Sequence, residues 1–190
     1  MRFIFNEKKA AQAAAYLLKL NGGQMKYLKL IKLLYLADRE CLLKTGCPIT
    51  RDRYVSMDNG PVLSRVYDLI REEPENADDP WYQYISAPED YTVRLRVQEP
   101  DLDELSRYET ALLESCFERF RALSGFDLAK LTHKICPEWR DPQGAALPIA
   151  PEEILRVEGK TPEEIEQIRR EALDLELIES LEDFAAPITH

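Results

Sequence analysis

The sequence predicts an α+β fold, predominantly helical, with a small antiparallel sheet of about three strands. Three observations carry that expectation. Apolar residues line three long helical stretches, about 7–20, 26–45 and 101–124, and a cap signature opens a fourth over about 161–181. The segment TVRLRV alternates strictly, with Val93, Leu95 and Val97 on one face and Arg94 and Arg96 on the other. Cap and turn residues separate these stretches at intervals that suit one ordinary domain of 190 residues.

The elements follow in order. Asn6 precedes Glu7-Lys8-Lys9 and an alanine-rich run, which is an N-cap followed by strong helix formers. A helix is expected over 7–20, with Ala10, Ala13, Leu17 and Leu20 inward and Asn21-Gly22-Gly23 as its stop. The next helix, Lys26 to Thr45, ends at Gly46. Its apolar residues cover most of its circumference, so neighbours must bury it on several sides. Lys26, Lys29, Lys32 and Arg39 share the remaining arc and read as a solvated face. Asp38 instead falls beside Ile31 and Leu34. A carboxylate there needs a partner, an arginine or a backbone donor from a following segment, or a raised pKa.

Arg53 to Met57 reads as a strand, Asn59-Gly60-Pro61 as a turn, and Ser64 to Arg71 as a short helix. Glu72 to Pro80 reads as an acidic loop. Trp81 to Ser86 and Tyr91 to Val97 read as a hairpin that joins the first strand in the sheet. Asp101, Asp103 and Glu104 suit the start of a long helix reaching Ser124, with Leu105, Tyr108, Leu112, Cys116, Phe120 and Leu123 inward. Asp127 suits the cap of a helix that must end before Pro137. Four prolines over 137–151 suggest an irregular wrap. Thr161-Pro162-Glu163-Glu164 is a helix start: N-cap, proline at the first position, acid three after the cap. The expected organisation is a domain over 1–150 followed by an acidic helical extension over 151–190.

Composition narrows the function. Hydrophobic residues are 45% and charged residues 32%, which permits a core. No apolar run approaches the roughly 18–20 residues of a membrane span. Glu7, Lys8 and Lys9 interrupt any signal-peptide core, so the expected location is cytoplasmic, with Cys41, Cys47, Cys116 and Cys136 reduced. Two histidines and no C-x-x-C spacing argue against a metal site. There is no G-x-S-x-G, no phosphate-binding loop and no dinucleotide fingerprint, so neither a cofactor nor a catalytic set is expected. His133 and Cys136 lie one helical turn apart, but nothing in the sequence orients that histidine as a base.

The net charge is −10 and uneven: residues 1–50 carry +6, residues 51–150 carry −8 and residues 151–190 carry −8. An acidic chain repels phosphate backbones, which disfavours nucleic acid and a DNA-binding autorepressor. The basic N-terminal third either faces the acidic remainder of the chain or meets an acidic partner.

Three segments stand out together: KLIKLLYLADRECLLKTG at 29–46, DRYVSMDNGPVLSRVYDLI at 52–70, and FDLAKLTHKICPEW at 126–139. Lys29, Leu30, Lys32, Leu33, Tyr35 and Ala37 are followed by Gly46, Pro48, Ile49 and Asp52. Gly60, Pro61, Val62 and Tyr67 come next, and Leu131, Thr132, His133, Pro137 and Trp139 close the set. Over about residues 8–140 this order resembles the SocA-like Panacea antitoxin domain, also met in phage-associated proteins. Asp38-Arg39 departs from that pattern, and the pattern does not fix the acidic tail.

The resemblance implies an α-rich fold with a small sheet, no catalytic activity, and an antitoxin that neutralises a cognate toxin by direct binding. The alternative it implies is an adaptor that hands the toxin to a ClpXP-type protease, for which FAAPITH at 184–190 offers an accessible segment. Asp58, Tyr67 and Trp139 are the expected partner contacts, with Trp139 as anchor. Trp139 is equally open to a role covering the preceding helix. Asp38, Gly60, Pro61, Val62, Thr132, His133 and Pro137 are the expected structural positions. Gly60-Pro61 sets a turn, Thr132 satisfies a backbone carbonyl, and His133 is a buried hydrogen-bonding residue.

Overall fold

The computed structural model describes residues 1, 3–72 and 79–185, with side chains up to residue 178. Most of the acidic loop expected at 72–80, and the FAAPITH segment but for its first two residues' backbone, lie outside that set. The fold is α+β and mainly helical, with eight helices and two small antiparallel sheets among the described residues.

Helix α1 (Glu7–Leu20) begins as its cap dictates, the Asn6 side chain accepting from the Lys9 amide at 2.9 Å. Its alanines at 10, 11, 13, 14 and 15 are fully buried, which lets neighbours approach its backbone closely. A three-residue strand β1 (Gln24–Lys26) leads into α2 (Tyr27–Thr45), which ends at Gly46 in the left-handed conformation. Every residue of α2 from Leu30 to Asp38 is buried. Strands β2 (Tyr54–Met57) and β3 (Gly60–Leu63) form a hairpin, and α3 (Ser64–Arg71) follows directly.

Next come α4 (Pro80–Tyr84), β4 (Thr92–Arg94), α5 (Arg107–Phe120), α6 (Gly125–Ile135), β5 (Leu147–Ile149), α7 (Pro151–Val157) and α8 (Pro162–Ala185). Helix α2 sits at the centre, packed by α1, α5, α6, α7 and the hairpin. Helix α7 adds Ile154 and Leu155 to the core, both fully buried. Thr161 caps α8 as expected, accepting from the Glu164 amide while the Glu164 carboxylate accepts from the Thr161 amide.

The sheets differ from expectation. The three-stranded sheet has the order β3-β2-β5, with Val55 opposite Val62 on one side and Pro148 on the other. The expected turn at 59–61 is shifted: Gly60 and Pro61 are already in β3. Trp81 to Ser86 is not a strand. Pro80 opens the short helix α4, and the Trp81 amide donates to the Glu7 carboxylate of α1 at 3.2 Å. An aromatic-rich run has strand composition, but burial of Trp81, Tyr82 and Tyr84 selects a turn of helix instead. Within 91–97, β4 pairs with β1, Met25 opposite Val93, so the expected hairpin is reduced to two isolated bridges, Ile85 with Leu95 and Glu89 with Thr92.

Helix α5 starts later than the acids at 101–104 suggested. A capping box of Ser106 and Glu109 sets its start, and Asp103 instead binds Lys8 and Gln12 of α1. Tyr108, expected inward, is 48% exposed. Ser124, not Asp127, caps α6 by accepting from the Asp127 amide at 3.1 Å.

Candidate partner-binding site

The three motif segments converge where the β2–β3 hairpin lies on α2 and α6. Gly60 has φ +90°, a region that favours glycine. A Cβ there would sit 2.5 Å from Thr132 Oγ1 and 3.2 Å from the His133 ring, so hairpin and helix meet backbone to side chain. Thr132 Oγ1 donates to the Ala129 carbonyl at 2.7 Å, as the sequence led us to expect. The His133 ring stacks on Trp139, centroids 4.0 Å apart and planes 15° apart. Trp139 Nε1 donates to the Met57 carbonyl at 3.0 Å, and the Arg140 amide donates to Ser56 Oγ at 3.2 Å. The segment after α6 is thereby stitched to β2.

Beneath this junction lie buried charges. Lys32 was expected on a solvated face and is fully buried, its Nζ donating to the Pro61 carbonyl at 2.8 Å. Pro61 and Val62 bury the hairpin over it, which the helical arc alone did not reveal. Burial brings the Lys32 pKa down to about 7. Glu138 is buried, and Arg39 grips both of its carboxylate oxygens at 2.7 and 3.1 Å. Tyr35 OH donates to the same carboxylate at 2.5 Å, and Arg39 also pairs with Glu158 at the end of α7. Burial opposes the Arg39 charge, but the bonds to Glu138 and Glu158 hold its pKa above the ordinary value.

Asp38 is fully buried, and its partners are donors from the following segment rather than an arginine. It accepts from the Thr50 amide at 2.8 Å, Thr50 Oγ1 at 3.0 Å and Tyr54 OH at 3.3 Å. Burial outweighs these bonds and raises its pKa to about 7. The remaining lysines of the expected solvated face bind backbone: Lys26 Nζ donates to the Asp90 carbonyl and Lys29 Nζ to the Arg121 carbonyl.

The Cys136 and His133 side chains are not set up as a nucleophile and its base. Burial and the Glu138 charge push the Cys136 thiol up to about 12, the reverse of an activated nucleophile. His133 has its pKa lowered by burial and by the Lys32 charge, and its Nε2 is buried with no partner among the described residues. Among the described residues no three His, Cys, Asp or Glu side chains gather as metal ligands.

The model of the antitoxin SocA-like family, Panacea domain, matches residues 30–140, more than half of the chain. The chain belongs to this family. No curated protein and no solved structure matches it. The Panacea span runs from the fourth residue of α2 to Arg140, so it contains the whole hairpin–α6 junction. Helix α1 precedes it, and β5, α7 and α8 follow it.

Within the Panacea span, the expected contact residues fall into two groups. Asp58 is exposed at the hairpin tip, where its Oδ1 accepts from the Gly144 amide at 3.0 Å. Trp139 is half-buried beside the same tip, where it donates to the Met57 carbonyl. Tyr67 stands apart from them: its OH accepts from Arg71 at 2.7 Å, and that guanidinium lies over its ring, 5.2 Å from the centroid. Pro137 is exposed in the turn that ends α6, and Cys136 closes the helix by donating to the Thr132 carbonyl. Sequence reasoning missed Glu138, although it stands inside the Pro137–Trp139 motif. Its pairing with Arg39 spans 99 residues, and no local spacing encodes it.

Proposed function

We propose that this chain is the antitoxin of a toxin–antitoxin pair and neutralises its cognate toxin by direct protein–protein binding, without turnover. Family membership supports the antitoxin role. The observation that supports the binding mode is the exposed hairpin tip with Asp58, tied to the segment after α6 by the Trp139–Met57 and Gly144–Asp58 hydrogen bonds. An exposed tip with a half-buried tryptophan beside it has the composition of an interaction hot spot. The binding unit is the domain over 1–150, with 151–190 as an acidic extension, acting in the cytoplasm and without nucleic acid.

The test is to express the product of the adjacent open reading frame alone and with this protein, and to titrate the two purified proteins. Rescue at equimolar protein is expected, and a folded His133→Ala variant, which loses the stack on Trp139, should weaken binding at most and not behave as a lost catalyst. Trp139→Ala should weaken binding by about thirtyfold, the equivalent of about 2 kcal/mol. Because Trp139 also holds Met57, Asp58→Arg at the exposed tip is the companion variant. Substoichiometric rescue without a protease overturns masking. Rescue that requires ClpXP favours the adaptor reading.

A further inference from the structure

Away from the hairpin tip, the extended N-terminal lead runs beside the outer face of the β3-β2-β5 sheet and leaves an open groove of about 670 Å³. That volume lies within the roughly 300–1,000 Å³ of ligand sites. Phe3 and Phe5 form one wall, Val55 and Pro148 the other, and Arg53 and Arg65 complete it. The two arginines are neighbours by construction of the fold. The Arg53 carbonyl accepts from the Ser64 amide at 2.8 Å, and one oxygen of Asp52 accepts from both the Arg53 and Arg65 amides.

That carboxylate is buried and committed to backbone, taking the Val66 amide as well. Neither guanidinium has a carboxylate within ion-pair distance among the described residues. Arg94, Arg119, Arg140, Arg169 and Arg170 are exposed and paired, whereas Arg107 and Arg156, like Arg53 and Arg65, are exposed with no ion pair among the described residues; what sets Arg53 and Arg65 apart is that both line the groove. In a chain of net charge −10, two adjacent exposed arginines beside an apolar groove, with Asp52 buried and no ion-paired carboxylate among the described residues, are complementary to an external anion. The walls are extended backbone, and β5 is an edge strand of its sheet, a geometry that accepts an extended polypeptide.

We infer that this groove takes an extended acidic segment of a protein partner, with carboxylates on Arg53 and Arg65 and apolar side chains against Phe3, Phe5, Val55 and Pro148. The identity of that partner as the toxin rests on the proposed function; the groove's preference does not. Two measurements on the full chain separate them. A fluorescein-labelled peptide alternating Glu and Leu should bind by fluorescence anisotropy, more weakly at high salt, and its Lys/Leu counterpart should not. Arg53→Glu/Arg65→Glu should weaken that peptide and the adjacent gene's product at least tenfold, with an unchanged thermal melt. Arg53→Gln/Arg65→Gln provides the milder variant, and Asp58→Arg should leave the peptide unaffected. Equal binding of the Lys/Leu peptide, or parent-like peptide affinity of the double variant, overturns the groove. Loss of the peptide with toxin binding unchanged overturns the toxin as its occupant. A toxin that binds no form of the protein sinks the antitoxin reading, while the peptide still decides the groove.

Discussion

The hairpin–α6 junction and helix α8 are both rich in charge and treat it in opposite ways. At the junction, Lys32, Asp38 and Glu138 are buried, and each is held by named donors or acceptors. On α8, Arg169, Arg170 and Glu166 are about half exposed or more and pair along their own helix, Arg169 also with Glu152 of α7. The apolar residues differ likewise. Ile165 and Ile168 of α8 pack on the core, whereas Leu173 and Ile178 are more than half exposed. Buried charge is costly unless every partner is in place, so the junction specifies one arrangement of hairpin, α2 and α6. Solvated pairs on α8 contribute little and specify little.

The largest effect should come from the junction's ion pair. Glu138→Ala leaves Arg39 and the Tyr35 hydroxyl without their shared acceptor. It should cost about 3–5 kcal/mol in chemical denaturation. A loss below about 1 kcal/mol would show that water replaces the carboxylate and would erase the contrast with α8.

Proton linkage sharpens the comparison. The Asp38 carboxyl is held at about 7 against an ordinary 3.8. The folded chain keeps a proton that the unfolded chain releases, so stability falls as pH rises between about 4 and 7. The slope is up to about 1.4 kcal/mol per pH unit and ends above about 7. Asp38→Asn should remove that slope. Lys32 behaves in mirror image. Its pKa is lowered to about 7 from 10.5, so stability rises with pH between about 7 and 10.5, and Lys32→Met should flatten that limb. Denaturation midpoints against pH for parent and variants check both; parallel curves would show that these groups titrate alike in both states.

A smaller loss is expected at the contact between hairpin and helix. Gly60→Ala places a methyl in a left-handed backbone and against Thr132 Oγ1, and should cost about 1–3 kcal/mol. The smallest effect belongs to α8. Glu166→Ala breaks its pairs with Arg169 and Arg170 and should change stability by no more than about 0.5 kcal/mol. A loss as large as that of Glu138→Ala would mean that α8 is as tightly specified as the junction.

Much of this molecule is written locally. Asn6, Gly46 and the Thr161–Glu164 box set helix ends within a few residues of themselves, because caps satisfy backbone groups one turn away. The apolar residues around most of α2 announced its central position, and the placement of Asp38 among them announced a buried carboxyl. Ser106 and Glu109 carried an equally local signal that the acids at 101–104 obscured.

Tertiary structure decided what depends on distant segments. Strands of three residues, such as β1 and β4, are too short to show alternation and exist only because each finds the other across a long stretch of sequence, Met25 opposite Val93. Trp81 to Tyr84 became helix because burial against α1 outweighed its strand-like composition. Lys32 lost its solvent when the hairpin folded over it. Arg39 found Glu138 only when α6 laid the end of its helix beside α2. Spacing along a chain encodes hydrogen bonds a few residues long; desolvation and charge pairing depend on which surfaces meet, and that is settled only when the core closes.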